Sequence, residues 1–302
     1  MNALKEIQAV LPSLTKTQAK VATYILENPD SVCFLSLKKL AEEVGVTETT
    51  VLSFCKKTDF QSFVGIKKAI SGYMQDRMSW NKKLETSSEQ YDADEGMLNN
   101  LMENQRKLVG STLENIDTGE LFRFVDALSS VDHIYICGHE ASLTIATNLH
   151  DKLRDSGARV NLIDVSNYSE VLNALTHFTK KDIFILITLP FYSAQTVAIS
   201  DYLASAGGDL LAITDKMTSP IVKNASHVLL CNSDNMVFHN SIASLMAVSD
   251  IIASMYILQN KDAFRAYNDK VKLVEDFFKH ATVPAYEHEY LYNEEKTSEE
   301  LL

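Results

Sequence analysis

Two short windows carry the residue types from which an anion site can be built. Gly138-His139-Glu140-Ala141-Ser142 follows the apolar run His133–Cys137, and Pro190–Thr196 follows the run Asp182–Thr188. In both, a helical pattern begins within a few residues, and backbone N–H groups at a helix start attract negative charge. Ser142 adds a hydroxyl at one start, and Ser193 and Thr196 add two at the other. Small hydroxyls with amide donors suit a phosphate without any cation. The expected contact set is Gly138, His139, Glu140, Ser142, Thr188, Ser193 and Thr196. Glu140 is the discordant member, because a carboxylate opposes a phosphate; it suits a ligand hydroxyl or amine.

A third window, Leu37–Lys57, meets the requirements of a helix-turn-helix. Ala41 is small where two helices would touch, and Gly45, four residues on, allows a left-handed turn. Leu40, Val44, Val46, Val51 and Phe54 point between the helices, and Thr47 offers an oxygen to cap the second one. That helix would lie in a DNA major groove with its first residues nearest the bases. Lys38, Thr47, Glu48, Thr49, Thr50, Ser53, Lys56 and Lys57 form the expected DNA-contacting set. Glu48 suits a cytosine amine, and the threonines suit a thymine methyl or a phosphate. The pairs Lys38-Lys39, Lys56-Lys57 and Lys67-Lys68 supply phosphate contacts.

Catalytic patterns are missing. Glu140, His139, Glu170 and His239 are acid–base candidates by type alone, and none stands in a motif that identifies a general base. The sequence holds no HExxH, Walker loop, GxSxG or intact GxGxxG. His150-Asp151 and His288-Glu289 have no metal-ligand company, and Cys33, Cys55, Cys137 and Cys231 are isolated in apolar contexts, as reduced thiols would be. No catalytic residue, metal or cofactor is expected.

Two kinds of element must hold these windows. Residues 1–80 read as all helix: Leu4, Ile7, Val10 and Leu11 recur at helical spacing, a second helix runs from Thr15 to Asn28, and a longer one covers about Phe63 to Ser79. Residues 80–96 are polar and charged and read as a linker; residues 97–130 return to helical spacing. From His133 strands and helices alternate, with strands at His133–Cys137, Arg159–Ile163, Asp182–Thr188, Asp209–Thr214 and His227–Leu230. That alternation implies a parallel five-stranded sheet flanked by helices, with ligands beyond the carboxyl ends of its strands. A last long helix starts near Phe238, its stripe Ile242, Leu245, Met246, Ile252 and Tyr256 wide enough to cover the sheet and a second subunit. Pro284–Leu302, with six glutamates and one lysine, reads as an acidic tail.

The 302 residues carry a net charge of −12, which argues against nucleic acid until its distribution is read. Residues 1–80 hold ten basic and eight acidic residues, and the remainder 18 and 32. The N-terminal part is therefore a separate, mildly basic unit. No apolar run approaches the roughly 20 residues that span a bilayer, and the N-terminus does not read as a secretion signal, so the expected compartment is the cytoplasm.

The stretch Leu14–Ile70, with its segments "YILENPD", "FLSLKKLAEEVGV" and "TVLSFCKKTDF", resembles the N-terminal domain of the RpiR/MurR family of regulators over about residues 1–78. Family members carry an arginine at the place of Ser53 and glycines at those of Asp59 and Ser62. That family appends a SIS (sugar isomerase) domain, a flavodoxin-like sheet that binds phosphosugars, and residues 107–260 resemble one. Its first loop is G-x-G-x-S, so Glu140 takes a glycine's place; its second is S-x-S-G-x-T, so Ala194 does too, and Phe191 stands where some members have arginine. The resemblance implies a helix-turn-helix domain over 1–78, a partly helical linker over 79–106, a SIS effector-binding and oligomerisation domain over 107–280, and a tail over 281–302. It implies a homodimer or homotetramer on double-stranded operator DNA, sensing a sugar phosphate. The alternatives are a regulator whose drifted SIS domain serves as a dimerisation scaffold or takes another ligand, and a phosphosugar isomerase, which would have no use for a DNA-reading head.

Overall fold

The computed structural model describes residues 3–77, 95–237 and 240–280. The expected linker over 80–96 lies outside them except for its last two residues, and Phe238, His239 and the acidic tail over 281–302 lie outside them as well. The chain divides into two compact units, Met1–Gln259 and Asn260–Leu302.

The N-terminal helices are α1 (Ala3–Val10), α2 (Lys16–Glu27), α3 (Pro29–Val32), α4 (Leu37–Val44), α5 (Glu48–Cys55) and α6 (Phe63–Arg77). They close on one apolar core, in which Ile7, Val21, Ile25, Leu40, Val51, Phe54, Ile66 and Ile70 are fully buried. Local chemistry sets their ends. Thr15 and Gln18 form a capping box on α2, Ser36 caps α4, and Pro29 opens α3 where its missing N–H is harmless. The turn before α6 takes its left-handed residue at Gln61, φ 56°, and not at Asp59 or Ser62, where the resemblance implies glycine.

Beyond the undescribed segment, α7 (Glu95–Asn115) and α8 (Thr118–Ser129) divide what the sequence showed as one helical stretch, with Asp117 capping α8. The sheet follows: β1 (His133–Gly138), β2 (Val160–Asp164), β3 (Asp182–Ile187), β4 (Asp209–Thr214) and β5 (His227–Leu230). Its order is β2-β1-β3-β4-β5, all parallel, as expected of a flavodoxin-like fold. The second strand starts one residue later than its apolar run suggested. Between the strands run α9 (Ala141–Asp155), α10 (Tyr168–His177) and α11 (Ala194–Ala206); α12 (Ala243–Gln259) and α13 (Lys261–His280) end the chain. Thus the last long helix begins at Ala243, not near Phe238, and a separate 20-residue helix succeeds it.

Strand β3 is buried along its whole length and divides its side chains between two layers. Ile183, Ile185 and Ile187 join the core beneath α8, α9 and α12; Phe184 and Leu186 join that beneath α10 and α11. Tyr135 stacks on Phe184 at 4.7 Å between ring centroids, and Phe178 meets it edge-on at 5.5 Å.

Candidate DNA-reading face and effector pocket

The helix-turn-helix is formed as its spacing predicts. Gly45 ends α4 in the left-handed conformation, φ 68°, and Thr47 accepts from the Thr50 N–H to cap α5. Leu40, Val51 and Phe54 are fully buried between the helices; Val44 and Val46 are half-buried there. Thr47, Glu48, Thr49, Ser53, Lys56, Lys57 and Lys38 are exposed, and Thr50 is half-buried. Two hydroxyls on this face already have partners: Thr47 Oγ1 lies 3.0 Å from Thr50 Oγ1, and Ser53 Oγ accepts from Gln18 Nε2 at 2.9 Å. The lysine pairs are unequal. Lys67 donates to the Leu35 carbonyl at 3.0 Å and sits over the Phe63 ring, and Lys39 faces Glu42 and Glu43. Lys67 is thus engaged in holding α6 to the loop before α4, a role that leaves the sequence's phosphate patch to its neighbours.

At the other end of the chain, β1 and β3 are adjacent but their connections leave in opposite directions along the sheet. This is the switch point at which α/β sheets open a crevice. A cavity of about 240 Å³ occupies it, lined by His139, Glu140, Ala141, Ser142, Thr188, Leu189, Pro190, Phe191, Ser193 and Asn240. Five of the seven expected contact residues line it, His139, Glu140, Ser142, Thr188 and Ser193; Gly138 ends β1 just before them and does not line it. A Cβ at Gly138 would lie 2.6 Å from the Ser142 carbonyl oxygen and 2.7 Å from Leu143 Cα, so only glycine lets α9 start this close to β1.

Three details depart from the sequence reading. Thr196 is fully buried behind Ser193 and does not line the cavity; its Oγ1 has no hydrogen-bond partner among the described residues. The Ser142 and Leu143 N–H groups, expected to face an anion, donate to the His139 and Glu140 carbonyls at 3.0 Å each. At the second helix start the Ser193 hydroxyl caps α11, accepting from the Thr196 N–H while it donates to Gln195 Oε1 at 3.0 Å. Asn240 was not legible as a pocket residue. It donates to the Pro190 carbonyl at 3.0 Å and accepts from Ser233, so it pins the second loop from the segment before α12.

Both pocket loops hold a non-glycine residue at positive φ. Glu140 has φ 50° and ψ −121°, and Phe191 has φ 68°. The backbone keeps a glycine's shape at the place where the related loop has glycine, although the residue is glutamate. Such strain concentrates at binding loops. Glu140 is well exposed, its Oε1 3.8 Å from His139 Nε2. No lysine or arginine is among the described residues that line the cavity.

Behind the second loop, Tyr192 is buried and donates to Asp215 Oδ1 at 2.6 Å. Burial pushes the Asp215 carboxyl above the usual carboxylate range, against the opposing effects of Tyr192 and Lys216, and burial and Asp215 push the Tyr192 phenol up as well. The next residue, Lys216, pairs with Asp30 in α3 at 2.6 Å. Phe34 packs against the core beneath α10 and α11. The pocket loop, the end of β4 and the DNA-reading domain are thus in continuous contact. The cysteines are free. Cys55, Cys137 and Cys231 are buried and Cys33 half-buried, with burial pushing Cys33 and Cys55 to about 11 and Cys231 to about 12. No group of metal-binding residues occurs among the described residues.

Residues 1–77 match the family model for the helix-turn-helix domain of the rpiR family, and residues 127–258 match that for the SIS domain. The chain belongs to the RpiR family. It is a transcriptional regulator with helix-turn-helix and SIS domains. An HTH-type transcriptional regulator of Haemophilus influenzae is 26% identical to this RpiR-family chain over 266 residues, 86% of this chain and 92% of the relative. HexR, an HTH-type transcriptional regulator of Escherichia coli, is 24% identical over 92% of this chain and 95% of its own. Among solved structures, the NanR protein of Vibrio vulnificus complexed with ManNAc-6P covers 91% of this chain and 99% of its own, with TM-score 0.61 and 15% identity. The sugar isomerase domain of an RpiR transcription factor from Sphaerobacter thermophilus covers 57% of this chain and 96% of its own, with TM-score 0.55 and 22% identity. These likenesses establish the SIS fold. No described helix is long and apolar enough to cross a membrane.

Proposed function

We propose that the chain binds operator DNA through α5 and that a small phosphorylated sugar, taken into the cavity at the ends of β1 and β3, alters that binding and controls genes of sugar metabolism. The cavity carries the reading. It sits at the switch point, it offers the hydroxyls of Ser142, Thr188 and Ser193, and its rim carboxylate, Glu140, suits a sugar hydroxyl or amine. NanR, of the same fold, is complexed with ManNAc-6P, which supports the ligand class. Gly138, His139, Glu140, Ser142, Thr188 and Ser193 form the pocket set in this reading. Lys38, Thr47, Glu48, Thr49, Thr50, Ser53, Lys56 and Lys57 form the DNA set. Two copies would present two α5 helices to an inverted-repeat operator. The effector must bind the DNA-competent and incompetent arrangements unequally; the contact from Tyr192 through Asp215 and Lys216 to Asp30 is a physical route for that difference.

The test is a thermal-shift panel of hexose, amino-sugar and pentose phosphates on the full chain, followed by operator mobility shifts with the best stabiliser. Stabilisation by one compound with altered DNA affinity is expected. A panel without any shift, with DNA binding indifferent to every member, overturns the sensing part and leaves DNA binding standing. Catalysis is not part of the proposal, and turnover of the stabilising compound would restore the isomerase reading.

One observation favours the drifted-scaffold reading. Glu140 brings a carboxylate to the rim, and the Ser142 and Leu143 amides are already engaged. Under that reading inorganic phosphate and all sugar phosphates fail to stabilise the chain.

A further inference from the structure

Helix α13 carries a seam that nothing above uses. Phe264, Tyr267, Val271, Val274 and Phe278 recur at alternating steps of three and four residues. That is the spacing of a and d positions in a heptad repeat, which keeps one stripe facing a partner helix along a left-handed supercoil. The positions away from the seam are largely charged: Arg265, Asp269, Lys272, Asp276 and Lys279. The second half of the stripe meets water: Val274 is 55% exposed and Phe278 48%, and Phe277 beside the seam is 68% exposed, whereas Phe264, Tyr267 and Val271 are half-buried. Exposed aromatic and aliphatic side chains on a 20-residue helix are an interaction surface, because a lone helix of this length is marginal in water.

The charges next to the seam say what covers it. With Phe264 at an a position, Lys270 falls at g and Glu275 at e of the next heptad. In a parallel pair g faces e of the following heptad on the other helix, so Lys270 of each copy meets Glu275 of the other. In an antiparallel pair g faces g and e faces e, so Lys270 never meets Glu275; the register that sets Lys270 against Lys270 brings Glu275 to Lys261. Only the parallel in-register pair joins Lys270 to Glu275, and symmetry makes that contact twice.

We infer that α13 pairs with α13 of a second copy of this chain as a short parallel coiled coil. The inference deepens the paired-regulator reading and rests on its dimer, but it needs neither DNA nor effector. The seam adds to whatever surface the remainder of the chain contributes. Leu273, 71% exposed, lies off the seam and the pairing does not cover it.

The experiment uses the full chain with Tyr267→Cys, in the first half of the helix. Under mild oxidation, parallel in-register helices bring the two new thiols within the roughly 4.4–6.8 Å Cα separation that a disulfide spans; antiparallel helices in full overlap set them about 10 Å apart along the axis, beyond that reach. A covalent dimer of Tyr267→Cys, with none from the parent chain and its four native cysteines, is expected. Sedimentation equilibrium of Lys270→Glu and Glu275→Lys should show the dimer dissociation constant raised about three- to ten-fold for each, with the double reversal restored to the parent value. A dimeric parent whose Tyr267→Cys variant gives no cross-link overturns the inference and leaves the paired reading intact. So does a double reversal no tighter than the single ones. A monomeric parent at tens of micromolar removes both.

Discussion

The Lys216 ammonium lies 2.6 Å from Oδ2 of Asp30 and ties the sheet domain to α3 of the helix-turn-helix domain. Asp30 is almost wholly buried. Lys216→Gln is expected to lower stability by about 1–3 kcal/mol, because an acidic group is left buried without its cation. A double-mutant cycle with Asp30→Asn should return a coupling energy of similar size, measured by urea denaturation. Additive effects would show that the two residues do not act on each other.

Glu120 joins α8 to the edge strand β5. Its Oε1 accepts from the Val228 N–H at 3.0 Å and from His227, and its Oε2 accepts from Arg123. Burial alone would push its carboxyl up; those donors outweigh burial and hold it below the usual carboxylate value. A carboxyl lowered by folding contributes stability above its unfolded value, near pH 4.3, and that contribution is lost as pH falls through the folded value. Glu120→Gln should therefore cost about 1–2 kcal/mol at neutral pH. The gap to the parent should narrow below about pH 4, read from urea midpoints at both pH values.

Glu140 holds a glycine's backbone shape under a side chain that resists it. Glu140→Gly should raise stability by about 0.5–2 kcal/mol, the relief of strain less the entropy that glycine adds to the unfolded chain. It should also tighten binding of any phosphate ligand, by removing the rim carboxylate. Differential scanning calorimetry checks the first part, and the thermal-shift panel repeated on the variant checks the second.

Replacing Lys56 and Lys57 by alanine should weaken operator binding and lower the slope of log affinity against log salt by about 0.9 for each phosphate contact removed. Fluorescence anisotropy across a salt series measures both. An unchanged slope would remove these lysines from the interface.

What the sequence made legible was whatever repeats or acts locally. Five apolar runs became five parallel strands because Ile183 through Ile187 must be buried on both faces. Ala41, Gly45 and Thr47 gave the helix-turn-helix because its geometry is fixed by near neighbours. What stayed hidden was long-range and polar. Nothing in the spacing of Gln18 and Ser53, Tyr192 and Asp215, or Asp30 and Lys216 announces that each pair meets in space, since single polar residues in loops leave no periodic trace. Asn240 reached the pocket from a segment with no regular pattern. Thr196 has the residue type of a ligand contact, but the first turn of α11 rotates it inward. The engaged amides of Ser142 and Leu143 depend on how tightly one turn closes, which residue types alone do not encode.

The left-handed turn at Glu140 also bears on how this pocket can change over generations. Glutamate's two codons, GAA and GAG, each become a glycine codon by one base substitution. The backbone there already has the shape that the substitution would favour, φ 50° and ψ −121°. No neighbouring residue must move first. A lineage carrying this chain is thus a single replication error away from the glycine-bearing loop, and the rim of the cavity can lose its carboxylate without any change in backbone shape.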